Sequence, residues 1–271
     1  MAKLQTELSQ AERGKKIGIW KYILKDTYMP LAILLLIIIT ALIQPRFLTV
    51  SNITNILQQI APLAIVTMGQ AFALISGGLD LSVGSIIAFA GVMSAYGAIW
   101  GGSPVGFALG ILAGALLGAI NGLIISRFNV SPFVVTLGMM TAASGLTLIV
   151  TNGLTIYELP DSFALFGRGR ILSYIPVSIV IAVISLIIGW IILNRTKLGR
   201  YIYAVGGNEE ASYLAGINIR RIKFYAYLLS GAFAGLAAVV LTSRTGAAQP
   251  NAGLNFEVNS IAAAIIGGIL L

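Results

Sequence analysis

The chain contains no cysteine and no histidine. That excludes thiolate and imidazole metal sites, cysteine or serine–histidine nucleophile systems, and disulfides. The lack of cysteine is compatible with an oxidising exterior and says nothing more about compartment. Charge is also scarce. Asp, Glu, Lys and Arg make up 10% of the residues, against about 25% in an ordinary soluble domain. No Gly-rich loop ending in Lys-Ser/Thr is present, so the chain is not expected to hydrolyse ATP itself. Two carboxylates are adjacent, Glu209 and Glu210, but they lie on a short helical pattern rather than in a cleft. No catalytic constellation is visible, and no enzyme activity, cofactor or metal is expected.

What the chain has in abundance is apolar surface. Hydrophobic residues make up 58% of it, with 31 glycines, and small residues let helices approach closely in lipid. The expected fold is an all-α polytopic membrane protein. It has about seven or eight transmembrane helices and a Gly-rich broken-helix element. Residues 1–27 form a charged tail with no signal-peptide cleavage site. The tail is expected to be retained, cytoplasmic and partly disordered, ending in an interfacial helix around 17–24. Residues 28–271 form the membrane domain. Spans are expected at 28–43, 55–76, 84–100, 105–125, 133–150, 175–193 and 224–242, with an eighth beginning near Val258.

Charge placement orients these spans. With the N-terminus inside, thirteen Lys and Arg fall on the inner side and four on the outer: Arg46, Arg168, Arg170 and Arg244. This is the positive-inside pattern. It also accounts for the net charge of +8 without nucleic acid as a partner.

The orientation places 194–223 in the cytoplasm. Within it, Asn208 is a candidate N-cap, and Glu209 and Glu210 sit where the helix dipole favours negative charge. Ala211, Tyr213, Leu214 and Ala215 continue the helix, and Gly216 suits a left-handed stop. Two turns are too short to be stable alone in water. On local pattern alone this is a solvated, capped connector or a helix that needs a partner.

Gly206-Gly207-Asn208-Glu209-Glu210-Ala211, followed by Leu214-Ala215-Gly216-Ile217, resembles the coupling segment of permeases in ATP-binding-cassette importers, specifically the ribose-type sugar permease family. The flanks Thr196-Lys197-Leu198-Gly199-Arg200 and Asn218-Ile219-Arg220-Arg221-Ile222-Lys223 extend the match. The resemblance implies that Gly207, Asn208, Glu209, Glu210, Ala211, Leu214, Ala215 and Gly216 seat in a cleft of a separate ATPase subunit. It further implies two permease copies around one pathway, an extracytoplasmic sugar-binding protein as donor, and a multi-pass location in the bacterial plasma (inner) membrane. Selectivity is then expected mainly in the binding protein, so ribose, another pentose, a hexose, a polyol or a signalling furanose all fit.

The family's Gly-Gly-x-Asp-Leu-Ser-x-Gly pattern is complete at Gly77, Gly78, Asp80, Leu81, Ser82 and Gly84. A carboxylate at bilayer depth is a functional-site hypothesis by default. Three readings of Asp80 stand: a structural cap, which is favoured, contact with passing solute, or contact with another subunit. Ser82 is expected to cap the next helix through the N–H of Ser85 or its neighbour. Asn121, which precedes a second family block at Ser131-Pro132-Phe133-Val134-Val135-Thr136-Leu137-Gly138, is expected to hydrogen-bond between helices rather than face the path. Ala143-Ser144-Gly145 departs from the family, which often carries an Arg there. The outer loops 157–174 and 243–250 would receive the binding protein.

The run ending at Gly77-Gly78 and the run ending at Gly267-Gly268 form a candidate internal repeat. Family members continue past the second Gly-Gly. The alternatives to an importer permease are therefore an ion-coupled secondary transporter, which would want more intramembrane carboxylates than Asp80, or a truncated inactive permease or scaffold.

Overall fold

The computed structural model describes residues 31–171 and 174–269. The tail over 1–27, with its expected helix at 17–24, lies outside the described residues, as do the start of the first expected span and positions 270–271. The chain divides into two compact units, Met1–Ile53 and Thr54–Leu271.

The first unit contains helix α1 (Leu31–Ile43). Its side chains are almost all exposed, including Leu35, Leu36 and Leu42, which costs nothing where the solvent is lipid. A short 3₁₀ turn at Pro45–Leu48 follows. Asn52 Nδ2 donates to the Phe47 carbonyl at 2.8 Å and closes it.

The second unit is built from helices. Six helices among the described residues are long and apolar enough to cross a bilayer: α2 (Val50–Ile75), α3 (Val83–Gly101), α4 (Ser103–Phe128), α5 (Pro132–Thr151), α7 (Val177–Arg195) and α10 (Ile219–Thr245). Each falls on an expected span. Pro132 occupies the first turn of α5, where its missing N–H breaks no helix bond.

Glycine sets the packing at the centre. Gly114 and Gly118 on α4 face Gly231 and Gly235 on α10. A Cβ on Gly118 would stand 2.8 Å from the Gly231 Cα, and one on Gly114 would stand 2.6 Å from the Gly235 Cα. The two helices therefore meet backbone to backbone, the small-residue contact that lipid-embedded helices favour. Against this pair lies α3, with Val83, Ile86, Ile87, Ala90, Val92 and Ala95 all buried. In contrast, α7 leaves Ile184, Ile187, Ile188 and Ile191 exposed.

Three segments differ from expectation. The loop before the sixth expected span contains helix α6 (Asp161–Arg168) and a small hairpin, β1 (Arg170–Ile171) with β2 (Ile175–Pro176). It pairs Arg170 with Pro176 and Ile171 with Ile175, and α7 therefore begins at Val177 rather than 175. The segment 194–223 holds two helices rather than one, α8 (Lys197–Gly207) and α9 (Glu209–Leu214). Gly207 thus closes α8 instead of opening the capped helix. Finally, α11 (Phe256–Ile266) has 11 residues, about 16 Å of helix, half the thickness of a hydrocarbon core.

The two Gly-Gly runs terminate α2 and α11 in the same way. Gly77 and Gly78 N–H donate to the Leu74 and Ala73 carbonyls, and Gly268 and Ile269 N–H donate to those of Ile265 and Ala264. Both are Schellman stops. Their geometry matches Gly77 to Gly268, one residue out of register with the sequence pairing of the Gly-Gly dipeptides.

Candidate functional site

At Gly77 the backbone takes φ +85°, a left-handed value that a side chain would resist. The chain then turns back along α2 instead of leaving the protein. Gln70 shows how far it returns. With its amide oriented to satisfy both atoms, it donates to the Asp80 carbonyl at 3.1 Å and accepts from the Asp80 N–H at 3.2 Å. This non-helical backbone is tolerated in a membrane protein because buried side chains replace the missing helix bonds.

Asp80 is completely buried. Its Oδ1 accepts from the Ser82 N–H at 3.0 Å and the Ser82 hydroxyl at 2.6 Å. Its Oδ2 accepts from the Ser230 hydroxyl of α10 at 2.8 Å. Asn121 Nδ2, on α4, donates to Ser82 Oγ at 2.8 Å. The Thr136 and Tyr227 hydroxyls reach the Leu79 carbonyl at 3.3 and 3.4 Å. Side chains from α2, α4, α5 and α10 thus converge on one turn. No cation pairs with Asp80 among the described residues. Among the described residues the carboxylate is held by hydroxyl and backbone amide donors alone, and no edge of it is exposed.

Ser82 departs from its expected role. It stands at the N-cap of α3, but its side chain makes no capping bond. Its hydroxyl is taken up between Asp80 and Asn121, and the Ser85 hydroxyl instead donates back to the Ser82 carbonyl at 2.8 Å. Asn121 thus ties α4 to the N-cap of α3. Gly84 is a close-approach position, where a Cβ would strike Gly253 and the Glu257 carboxylate.

Helix α9 has the local form expected from its capping residues. Asn208 Oδ1 accepts from the Ala211 N–H at 2.8 Å. Ala215 is the C-cap, and Gly216 follows at φ +78°. Gly216 N–H donates to the Tyr213 carbonyl and Ile217 N–H to the Ser212 carbonyl, a Schellman stop. Glu209 pairs with Lys223 at the foot of α10, at 2.7 Å. Ser212 is buried, whereas Tyr213 is 70% and Leu214 79% exposed. Glu210, Ala211 and Ala215 are exposed too. A capped two-turn helix thus presents a mixed apolar and acidic face that nothing among the described residues covers.

This helix is linked to the Asp80 turn through α8. Thr196 caps α8 by accepting from the Gly199 N–H at 3.2 Å, and Ile202 and Val205 bury its inner face. Its last turn rests on the end of α2, where a Cβ on Gly206 would collide with the Ile75 carbonyl. An inner cavity of about 800 Å³ opens there, bounded by Gly77, Gly78, Tyr203, Gly207 and Gly268.

The loops 157–174 and 243–250 are fastened together. Arg168 donates through Nε to the Arg244 carbonyl at 2.7 Å and through Nη2 to that of Thr245 at 2.6 Å. Gly167 N–H donates to Ser243 Oγ at 2.7 Å, and Ile156 and Ala248 form a β-bridge.

Sequence reasoning singled out Asp80, Ser82 and Asn121 but missed Gln70, Thr136, Tyr227 and Ser230. Gln70 carried a usable signal, a large amide within a long apolar run. Ser230 carried none, since a serine in a transmembrane helix is ordinary. Glu257 was also missed, although an acid beside an apolar segment is conspicuous.

Comparison with known proteins agrees with this architecture. Residues 52–270 match the family described as branched-chain amino acid transport system / permease component. The chain is 41% identical over 253 residues to the ribose import permease protein of Haemophilus influenzae, covering 89% of this chain and 76% of that one. It is 41% identical over 244 residues to the ribose import permease protein of Bacillus subtilis, with the same coverage. The D-allose transport system permease protein of Escherichia coli is 39% identical over 224 residues, covering 82% of this chain and 68% of that one. No solved structure matches the chain.

Proposed function

The chain belongs to the ribose-type permeases of ATP-binding-cassette importers, and on that premise we propose that it carries a monosaccharide inward across a bacterial plasma membrane. Its N-terminus is cytoplasmic, by the balance of Lys and Arg. A separate ATPase subunit binds the exposed face of α9, through Glu210, Ala211, Tyr213, Leu214 and Ala215. An extracytoplasmic sugar-binding protein docks on the loops that Arg168 joins, and a second copy of the chain completes the pathway.

The observation that carries the reading is α9 itself. It is capped at both ends, tied to α10 through Lys223, and bare on its outer face. Such a helix transmits force if the ATPase contacts it differently in its open and closed states, the condition for any ligand-driven shift. The force has a route through α8 to the Gly77 turn. Asp80, with no free edge, serves this reading as the pin of that turn rather than as a solute contact.

The test is affinity purification of the tagged chain from gently solubilised, cross-linked native membranes, with mass spectrometry of its companions. The expected result is an ATPase and a sugar-binding protein in the complex. Recovery of the folded chain alone from transport-active membranes would overturn the reading in favour of an ion-coupled carrier.

A further inference from the structure

The half-length helix α11 starts inside the protein. Ala248 bridges to Ile156 and packs with Val92 and Ala95 of α3. Shortly after it, Gly253 lies against Gly84, and a Cβ on either would collide with the carbonyl of the other. Val92 and Gly84 are separated by about 12 Å of helix. The chain between Ala248 and Gly253 therefore descends from the outer rim by about that depth before α11 begins.

This descent leaves a cavity of about 610 Å³ between α3, α5 and residues 250–257, within the range of small-molecule sites. Thr155 of the outer segment and Ser144 of α5 line it, with Asn251 and Glu257 opposite. None of these four side chains has a hydrogen bond or ion pair among the described residues. The Glu257 carboxylate lies on the bare backbone of Gly84, where a Cβ would strike its Oε2. An unpaired carboxylate at membrane depth is expensive, and such groups mark solute paths when they face a cavity. A carboxylate accepts hydroxyls, and an amide with two hydroxyl side chains both donates and accepts. Met140 and Leu148 supply apolar wall for the C–H faces of a ring.

Two elements run from this cavity to the inner one. One leads from Gly84, on the outer cavity, back to Gly78, on the inner cavity, with Asp80 between them. The other is α11, with Glu257 at the outer cavity and Gly267 and Gly268 at the inner.

We propose that the outer cavity is the station at which the monosaccharide is held after release into the membrane domain, and that Glu257 accepts its hydroxyls and sets its specificity. This rests on the importer reading above. Sugars that place their hydroxyls differently against Glu257 are then passed on at different rates, so the permease adds a selection of its own.

The test uses the absence of native cysteine. Ser144→Cys, and Ser51→Cys as an exposed control, each introduce the only thiol in the chain. Each variant is assembled with its ATPase and binding protein in vesicles. It is treated from outside with a membrane-impermeant methanethiosulfonate, and uptake of D-ribose, D-allose and L-arabinose is measured. The adduct at Ser144 is expected to lower uptake at least about tenfold and that at Ser51 to leave it unchanged. Glu257→Gln is expected to change the ratio of uptake among the three sugars at least about tenfold, with undiminished yield of assembled complex. Full labelling of Ser144→Cys with undiminished uptake overturns the station, as does failure to label it when Ser51→Cys labels. An unchanged sugar ratio in an assembled Glu257→Gln complex overturns the role of Glu257. If the unmodified complex takes up neither these three sugars nor any other pentose, hexose, polyol or furanose offered to it, the importer reading falls and the station with it.

Discussion

A Cβ placed on Gly77 would lie 3.7 Å from the Cα of Gly206, so the last turn of α8 rests on the turn that ends α2. The helix α9, with its bare face, and the turn that holds Asp80 are thus joined through α8 by close backbone contacts of Gly206 with Ile75 and Gly77. Gly206 has no room for a side chain against the Ile75 carbonyl, and Gly77 holds a left-handed φ of +85° that a side chain would resist.

This contact predicts an uncoupled variant. In Gly206→Val the new side chain meets the Ile75 carbonyl and pushes α8 off the turn. Uptake is expected to fall at least about tenfold while binding of the ATPase persists, since α9 is untouched. Measuring ATP hydrolysis and uptake in the same proteoliposomes checks this. Loss of ATPase binding would reduce Gly206 to a packing position.

The Asp80 network predicts coupled stability losses. Ser230→Ala removes one donor from a buried carboxylate and is expected to cost about 1–3 kcal/mol. Asp80→Asn removes the charge and leaves an amide NH2 from which the Ser230 hydroxyl must reverse to accept, and is expected to cost a similar amount, about 1–3 kcal/mol. Because the two residues share one bond, the double variant should lose less than the sum. Thermal unfolding in detergent measures all three, and strict additivity would refute the shared network. Normal uptake by a well-folded Asp80→Asn would leave the carboxylate no essential ionic role.

Glycine packing predicts a position-dependent cost. Gly118→Leu forces α4 away from α10 and is expected to destabilise by at least about 2 kcal/mol. Gly138→Leu, on α5, meets nothing within 4 Å and is expected to change stability by less than about 0.5 kcal/mol. Equal shifts for the two in the same melting assay would mean that general hydrophobicity matters, not the α4–α10 contact.

The cap of α9 predicts a local effect. Asn208→Ala is expected to weaken the helix by about 1 kcal/mol, with exchange at the Ala211 amide about fivefold faster. The Glu209–Lys223 pair lies partly in solvent, with side chains 51% and 17% exposed, so Lys223→Gln is expected to cost less than about 1 kcal/mol. Leu214→Asp should leave folding intact and abolish capture of the ATPase in a pull-down. Undiminished capture would mean that the subunit docks elsewhere.

Much of this protein was settled by its sequence alone. Hydropathy located the transmembrane helices because a bilayer requires long apolar runs whatever their neighbours. The distribution of Lys and Arg supplied the orientation on which the proposed function rests. Asn208 and Gly216 marked the ends of α9 because capping is a local matter of a few backbone groups. Tertiary structure alone decided the rest. That Ser82 serves Asp80 instead of its own helix depends on Ser230 and Asn121, which are remote in sequence and near only once α4 and α10 have packed. That Glu257 faces a cavity depends on how far the chain descends after Ala248, which is set by the bare backbones of Gly84 and Gly253. Local pattern reads interactions that close within a turn or two. Which polar groups meet across the membrane is decided by helix contacts, and here those contacts are made by glycines whose partners no local pattern names.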